Sequence, residues 1–139
     1  MKTAGSITIF LREVAAWASA REDILAVALV GSHARGDARK DSDIDLVLLV
    51  ETPEKYLVDV EWPAHFGAVR RRRRESYGKV TSVRVWYDNG REVEYGITTP
   101  RWAAEPLDEG ARRVILEGMR VIFERGTLLS RLLNPPASP

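Results

Sequence analysis

The stretch GSHARGDARKDSDID, residues 31–45, decides the fold. It is preceded by the apolar run ILAVALV at 24–30 and followed by LVLLV at 46–50. Short continuous apolar runs bounded by turn residues read as strands covered on both faces. The stretch between them is polar and charged, so it reads as a short connection at one end of a sheet. Asp43 and Asp45 stand two apart where the second strand begins. Side chains alternate along a strand, so both carboxylates take the same face, with Cα atoms about 6–7 Å apart. Two like charges side by side at the mouth of a buried strand repel unless a cation joins them. Carboxylate oxygens suit Mg2+, a hard ion that also takes water and phosphate.

Working outward, Gly31 ends the first strand and carries no Cβ, so a phosphate can approach its backbone. Residues 32–37 read as a short helix whose free N–H groups and Ser32 hydroxyl face an anion. The plainer reading is a strand-to-helix turn with Ser32 as its N-cap. Arg35 is either a phosphate partner or, preferably, a structural ion pair that braces the loop. Ser42 orients the aspartates or caps the turn. On the second strand, placed at 43–51, Ile44, Leu46, Leu48 and Val50 lie opposite the aspartates. Val47 and Leu49 continue the aspartate face into the core. The site is thereby expected near the sheet's edge and open to solvent.

The chain of 139 residues suffices for one domain with a core, placed at 1–134, followed by a flexible tail at 135–139. With 45% hydrophobic and 29% charged residues the composition is that of an ordinary globular protein. The absence of cysteine excludes disulfides, thiolate metal sites and a Cys nucleophile. Two histidines, His33 and His65, argue against a His-rich zinc site. A net charge of +1 exerts no overall pull on nucleic acid or anionic membrane. No secretory signal and no membrane span is expected, so the location is read as cytoplasmic.

Elsewhere, Ile7, Phe10, Leu11, Val14, Trp17 and Ala18 recur at helical spacing, predicting an amphipathic helix over 7–20. Residues 52–75 are irregular, with Tyr56, Leu57, Val60, Trp62, Phe66 and Val69 on the buried side of one or two short helices. Arg70 to Arg74 are five arginines in succession, read as a solvated helix end. The alternative is a grip on an anionic acceptor such as RNA, or on a triphosphate. Residues 80–87 and 91–97 alternate as strands, joined by a two-residue turn of the Asn89-Gly90 kind. Glu92 and Glu94 share one face of the returning strand, and Val93, Tyr95 and Ile97 the other. A helix over 107–117, a short strand over 119–123 and a helical turn over 127–133 close the chain.

Gly31-Ser32, then Arg35-Gly36, then Ser42-Asp43-Ile44-Asp45-Leu46 resembles the signature of the polymerase-β-like nucleotidyltransferases. The likeness is to their small prokaryotic members, the minimal and aminoglycoside-nucleotidyltransferase-like proteins, and covers 24–97. It implies an α+β fold, with a mixed, largely antiparallel sheet of about four to five strands and helices packed on it. It implies a third carboxylate from a later strand. Glu94 is chosen because it stands well inside its strand, before the small Gly96, whereas Glu92 is nearer the turn and expected to be exposed. The family more often has Asp there. The plainer role for Glu94 is a strand glutamate paired with Arg84.

The resemblance further implies transfer of a nucleoside monophosphate, AMP from ATP, to an acceptor hydroxyl with release of pyrophosphate. Asp43 and Asp45 would bridge two Mg2+ ions and Glu94 would complete one ion's ligands. Gly31 and Ser32 would hold the β- and γ-phosphates. The acceptor is open: a small molecule or a protein, with a second protomer as homodimer or a partner protein as the missing wall. Two alternatives stand beside the enzyme. One is the antitoxin-type minimal nucleotidyltransferase that binds and adenylylates a helical toxin; the other is a nucleotide-binding protein without catalysis. A nucleic-acid-binding module is the weakest reading.

Overall fold

The structure, a computed structural model, describes residues 4–59, 61–77 and 80–133. Its strands are β1 (Ile24–Val30), β2 (Ile44–Val50), β3 (Val69–Tyr77), β4 (Val80–Tyr87), β5 (Glu92–Thr98) and β6 (Arg120–Glu124). They form one sheet in the order β3-β4-β5-β2-β1-β6. Among the described residues β2 and β5 are the one parallel pair; every other pairing is antiparallel. The expected α+β architecture holds, with six strands in place of four or five.

The added strand is β3, and it corrects the reading of the five arginines. Arg70 to Arg74 lie on the outermost strand, not at a helix end. The strand pairs with β4 alone, and these five side chains are exposed. An edge strand of this kind needs no apolar alternation, so the hydrophobic pattern that marks an interior strand is missing. Charged edge residues also discourage pairing with another chain.

Helix α1 (Ala4–Ser19) covers one face of the sheet with Phe10, Leu11, Val14, Trp17 and Ala18, against Val27, Leu29, Leu46 and Leu48. Residues 52–68 supply α3 (Pro53–Val58) and a 3-10 turn, Trp62–Phe66, to the same layer. There Trp17 stacks on Trp62 at 5.2 Å between centroids and meets Phe66 edge-on at 5.4 Å. Val60, expected among these buried positions, lies outside the described residues.

On the other face Ala26, Ala28, Val30, Val47 and Leu49 are covered by Trp102, Ala103, Ala111, Met119 and Leu129. Ala111 belongs to α4 (Glu109–Glu117), whose N-cap Asp108 accepts from the Ala111 N–H at 2.8 Å. Helix α5 (Ser130–Leu133) follows, with Glu124 Oε1 accepting from the N–H groups of Leu129 and Ser130. Residues 134–139, which include the predicted tail, lie outside the described residues.

The β4–β5 connection also departs from expectation. Tyr87 N–H donates to Arg91 O at 2.8 Å and Gly90 N–H to Tyr87 O at 2.9 Å. Asp88, Asn89 and Gly90 therefore form a three-residue loop, with Gly90 left-handed at φ 90°. A type I turn followed by a left-handed glycine reconciles a three-residue loop with strand twist.

Leu48 sits on β2 with no exposed surface, under α1. Leu48→Ala is expected to cost about 2–5 kcal/mol, the usual result of emptying a leucine site in a packed core. Urea unfolding with an unchanged slope measures it; a loss below ~1 kcal/mol would mean this layer is not the packed core.

Candidate active site

The functional positions gather where β1 ends and β2 begins. Antiparallel pairing sets Val30 opposite Asp45, so Gly31 leaves β1 directly beside the Asp45 carboxylate. Gly31 has φ +74°, and a Cβ built on it would overlap the Asp45 oxygen Oδ2. Both the backbone angle and the space thus demand glycine. The short helix α2 (Ser32–Arg35) follows, ended by Gly36 in the left-handed region at φ 84°. Gly31, not Ser32, is its N-cap residue, and no side chain caps it. The plainer alternative for Ser32, an N-cap, is therefore not found.

Arg35 donates through Nε to Asp37 at 3.3 Å, the ion-pair role expected for it, although both groups are exposed. Ser42 closes the turn: its Oγ accepts from the Arg39 N–H at 2.8 Å. His33 Nε2 lies 3.3 Å from the Ser42 carbonyl and ties α2 to the turn. That link was invisible in the sequence, because its two ends belong to different turns.

Register does the rest. The parallel β2–β5 pair aligns Asp45 with Glu94 and Ile44 with Val93. Asp43, one residue earlier, comes level with Glu92. Paired residues share a face, so the acidic side chains crowd one patch of the sheet. Since β2 lies between β1 and β5, the site is at a strand end in mid-sheet and not at the sheet's edge.

The antiparallel β4–β5 pair then places Arg84 opposite Glu94 and Trp86 opposite Glu92. The Arg84 guanidinium donates to four carboxylates. Nη1 reaches Asp43 Oδ2 at 2.9 Å and Glu92 Oε2 at 2.6 Å. Nη2 reaches Glu94 Oε1 at 2.5 Å, and Nε reaches Glu75 Oε1 at 3.1 Å. Arg73 pairs with the other oxygen of Glu75. Glu92, expected to be exposed, is a half-buried partner of Arg84. Sequence reading offered Arg84 only as a partner for Glu94. The convergence of Glu75, Glu92 and Asp43 on it depends on three separate strand registers.

The electrostatics follow. The Asp45 carboxyl is pushed up to about 7, chiefly by burial and next by the charges of Asp43 and Glu94, with Arg84 and Arg35 opposing. Burial also raises Glu94, against the pull of Arg84. Among the described residues no three acidic or histidine side chains close into a ready metal cage. The donor chemistry nonetheless fits a hard cation. Asp43, Asp45 and Glu94 offer carboxylate oxygens on one face, and the guanidiniums of Arg73 and Arg84 lie among the five carboxylates of the patch.

A mixed sheet with an acidic pair entering a central strand behind a Gly-Ser turn defines a class, the polymerase-β-like enzymes that transfer nucleotidyl groups. The chain belongs to the nucleotidyltransferase domain family, whose model matches residues 11–95. No curated protein sequence matches it. Among solved structures it is similar to an aminoglycoside 6-adenyltransferase from Bacillus subtilis, with a TM-score of 0.55 and 14% identity. That likeness, which concerns the fold, covers 74% of this chain and 37% of the adenyltransferase. Among the described residues no helix is long and apolar enough to cross a membrane.

Two outcomes follow. Gly31→Ala should cost on the order of 1–3 kcal/mol, because it combines a left-handed backbone with a displaced Asp45; thermal unfolding reads this, and an unchanged Tm would refute the close approach. For Asp45, a raised folded-state value means the folded chain holds the proton more tightly than the unfolded chain does. In metal-free buffer the wild type should therefore lose stability relative to Asp45→Asn as pH rises from the ordinary 3.8 toward about 7. A Tm difference that stays constant across that window would contradict it.

Proposed function

We propose that this chain is a Mg2+-dependent nucleotidyltransferase that moves AMP from ATP to an acceptor hydroxyl and releases pyrophosphate. One observation carries the reading: the parallel β2–β5 register pairs Asp45 with Glu94 beside Asp43, against the Gly31 backbone. Asp43, Asp45 and Glu94 would hold the Mg2+, with two ions as the proposed number. When bound, the ions neutralise charge on the phosphoryl oxygens and on the departing pyrophosphate.

The chain's own residues do the remaining work. Gly31 lets the Asp45 carboxylate lie against its backbone, and the Gly31–Ser32 turn, with the Ser32 hydroxyl as donor, would hold the β- and γ-phosphates. Arg35 and Ser42 hold the loop on which these groups stand, through Asp37 and Arg39 respectively. The acceptor oxygen bonds to the α-phosphorus as the bond to pyrophosphate breaks. The hydroxyl proton passes to a Glu94 carboxylate oxygen. Positioning and charge, not covalent chemistry by the protein, carry the step.

The acceptor is a small molecule or a protein. A second copy of the chain or a partner protein, including a toxin adenylylated by this chain as its antitoxin, is proposed as the other wall of the site. A cytoplasmic location belongs to the same proposal.

Transfer of label from α-labelled ATP to acceptors in a cell extract, with Mg2+ present, tests the reading. Asp43→Asn and Asp45→Asn should each reduce transfer by about 100-fold or more, as loss of charge stabilisation at a transferring phosphoryl group does. Equal transfer by wild type and both variants would sink the roles given to Asp43 and Asp45, and no transfer by wild type would leave the non-catalytic alternative standing.

A further inference from the structure

Arg84 is shared among four carboxylates. Its guanidinium bonds to Asp43 and Glu94, two of the three proposed ligands, and to Glu75 and Glu92, which lie outside that set. The side chain is only 16% exposed. It reaches the patch from β4, whereas the carboxylates come from the entrance to β2, from β3 and from β5. Among the described residues, Asp45 is the one proposed ligand without a hydrogen bond to Arg84.

The geometry points to Arg84 as a cation-responsive positioning residue: it holds Asp43 and Glu94 in the metal-free protein and releases them to a divalent ion while staying anchored on Glu75 and Glu92. This rests on the proposal that Asp43, Asp45 and Glu94 bind such an ion.

The physical reason is competition between two kinds of cation for the same oxygens. A guanidinium is singly charged, broad and planar, and it spreads its donors over several partners. A divalent ion is compact, carries twice the charge and draws carboxylate oxygens to about 2.0–2.1 Å in the case of Mg2+. The two cannot share Asp43 and Glu94 without mutual repulsion. Arg84 is not lost to solvent on yielding them, because Nε remains on Glu75 and Nη1 remains on Glu92. Those two glutamates give the displaced guanidinium its second position. Arg73, on the far oxygen of Glu75, fixes that glutamate in turn.

The arrangement has a use in each state. Without the ion, Arg84 offsets repulsion among acidic groups that would otherwise push β2 and β5 apart. With it, Arg84 keeps a positive charge beside the site without occupying it.

Mn2+ titration of the full chain by isothermal calorimetry, with thermal unfolding in parallel, tests this. Arg84→Met should bind Mn2+ about tenfold more tightly than wild type, the scale of removing one positive charge a few ångströms away. Its metal-free form should melt lower, and Mn2+ should recover more of its Tm than it adds to wild type. The double variant Glu75→Gln with Glu92→Gln keeps Arg84 but removes its second position, so Mn2+ binding should weaken by about tenfold. If Arg84→Met does not fold, Arg84→Lys and the double variant decide the matter. The smaller ammonium should give an affinity between those of wild type and the tenfold gain. Mn2+ binding by wild type that is equal or stronger than in Arg84→Met, or unchanged in the double variant, would overturn the inference alone. No Mn2+ binding by wild type or by any folded variant would overturn the metal reading, and this inference with it.

Discussion

Crowded negative charge at the mouth of β2 is the constraint on which the rest of this molecule turns. Asp43, Asp45, Glu75, Glu92 and Glu94 meet on one face of the sheet, with Arg84 and Arg73 among their cations. Burial first, and then the neighbouring charges of Asp43 and Glu94, push the Asp45 carboxyl up. Folding alone gives no reason to gather them. The proposed binding of a divalent cation does.

The patch exists because of one unusual pairing. The β2–β5 ladder is parallel in a sheet that is otherwise antiparallel among the described residues. It aligns Asp45 with Glu94, and the antiparallel ladders continue the row to Arg84 and then to Arg73. A neighbouring row runs from Glu92 through Trp86 to Arg71, whose guanidinium lies 4.8 Å from the Trp86 ring. Each row passes from acidic on the central strands to basic at the sheet edge. A slip of one residue in β5 would turn Glu94 into the core and bring Val93 or Tyr95 out, so the buried face guards the register of the site.

That buried face is dense with aromatic rings. Trp17 from α1, Tyr56 from α3, Trp62 and Phe66 from the 3-10 turn, and Tyr95 from β5 meet at centroid distances of 4.8–6.3 Å. Tyr95 and Glu94 are adjacent residues on opposite faces of β5. The ring cluster therefore grips the same strand that presents the carboxylate. Tyr87 completes the link, with its hydroxyl 2.7 Å from that of Tyr95 and donating to the Pro63 carbonyl at 2.8 Å.

Local chemistry made part of this legible in advance. The apolar runs at 24–30 and 46–50, the helical spacing of Phe10, Val14 and Trp17, and the alternation of Val93, Tyr95 and Ile97 all encode elements through burial periodicity. The pairing of Asp43 with Asp45 on one face follows from strand geometry, whereas Gly31 reads in the sequence as room for a phosphate and the structure fills the space beside it with Asp45. What stayed hidden has a common cause. Strand β3 carries no apolar pattern because it lies at an edge, where solvent and not a core surrounds its arginines. The three-residue loop at Gly90 depends on which hydrogen bonds the flanking strands exchange. The role of Arg84 depends on registers between strands far apart in the chain, and residue spacing along one strand carries no information about its alignment with another. Sequence alone determined the elements that border a core and the shared face of Asp43 and Asp45; tertiary pairing decided which charges face each other, because that is set only when separate strands share a sheet.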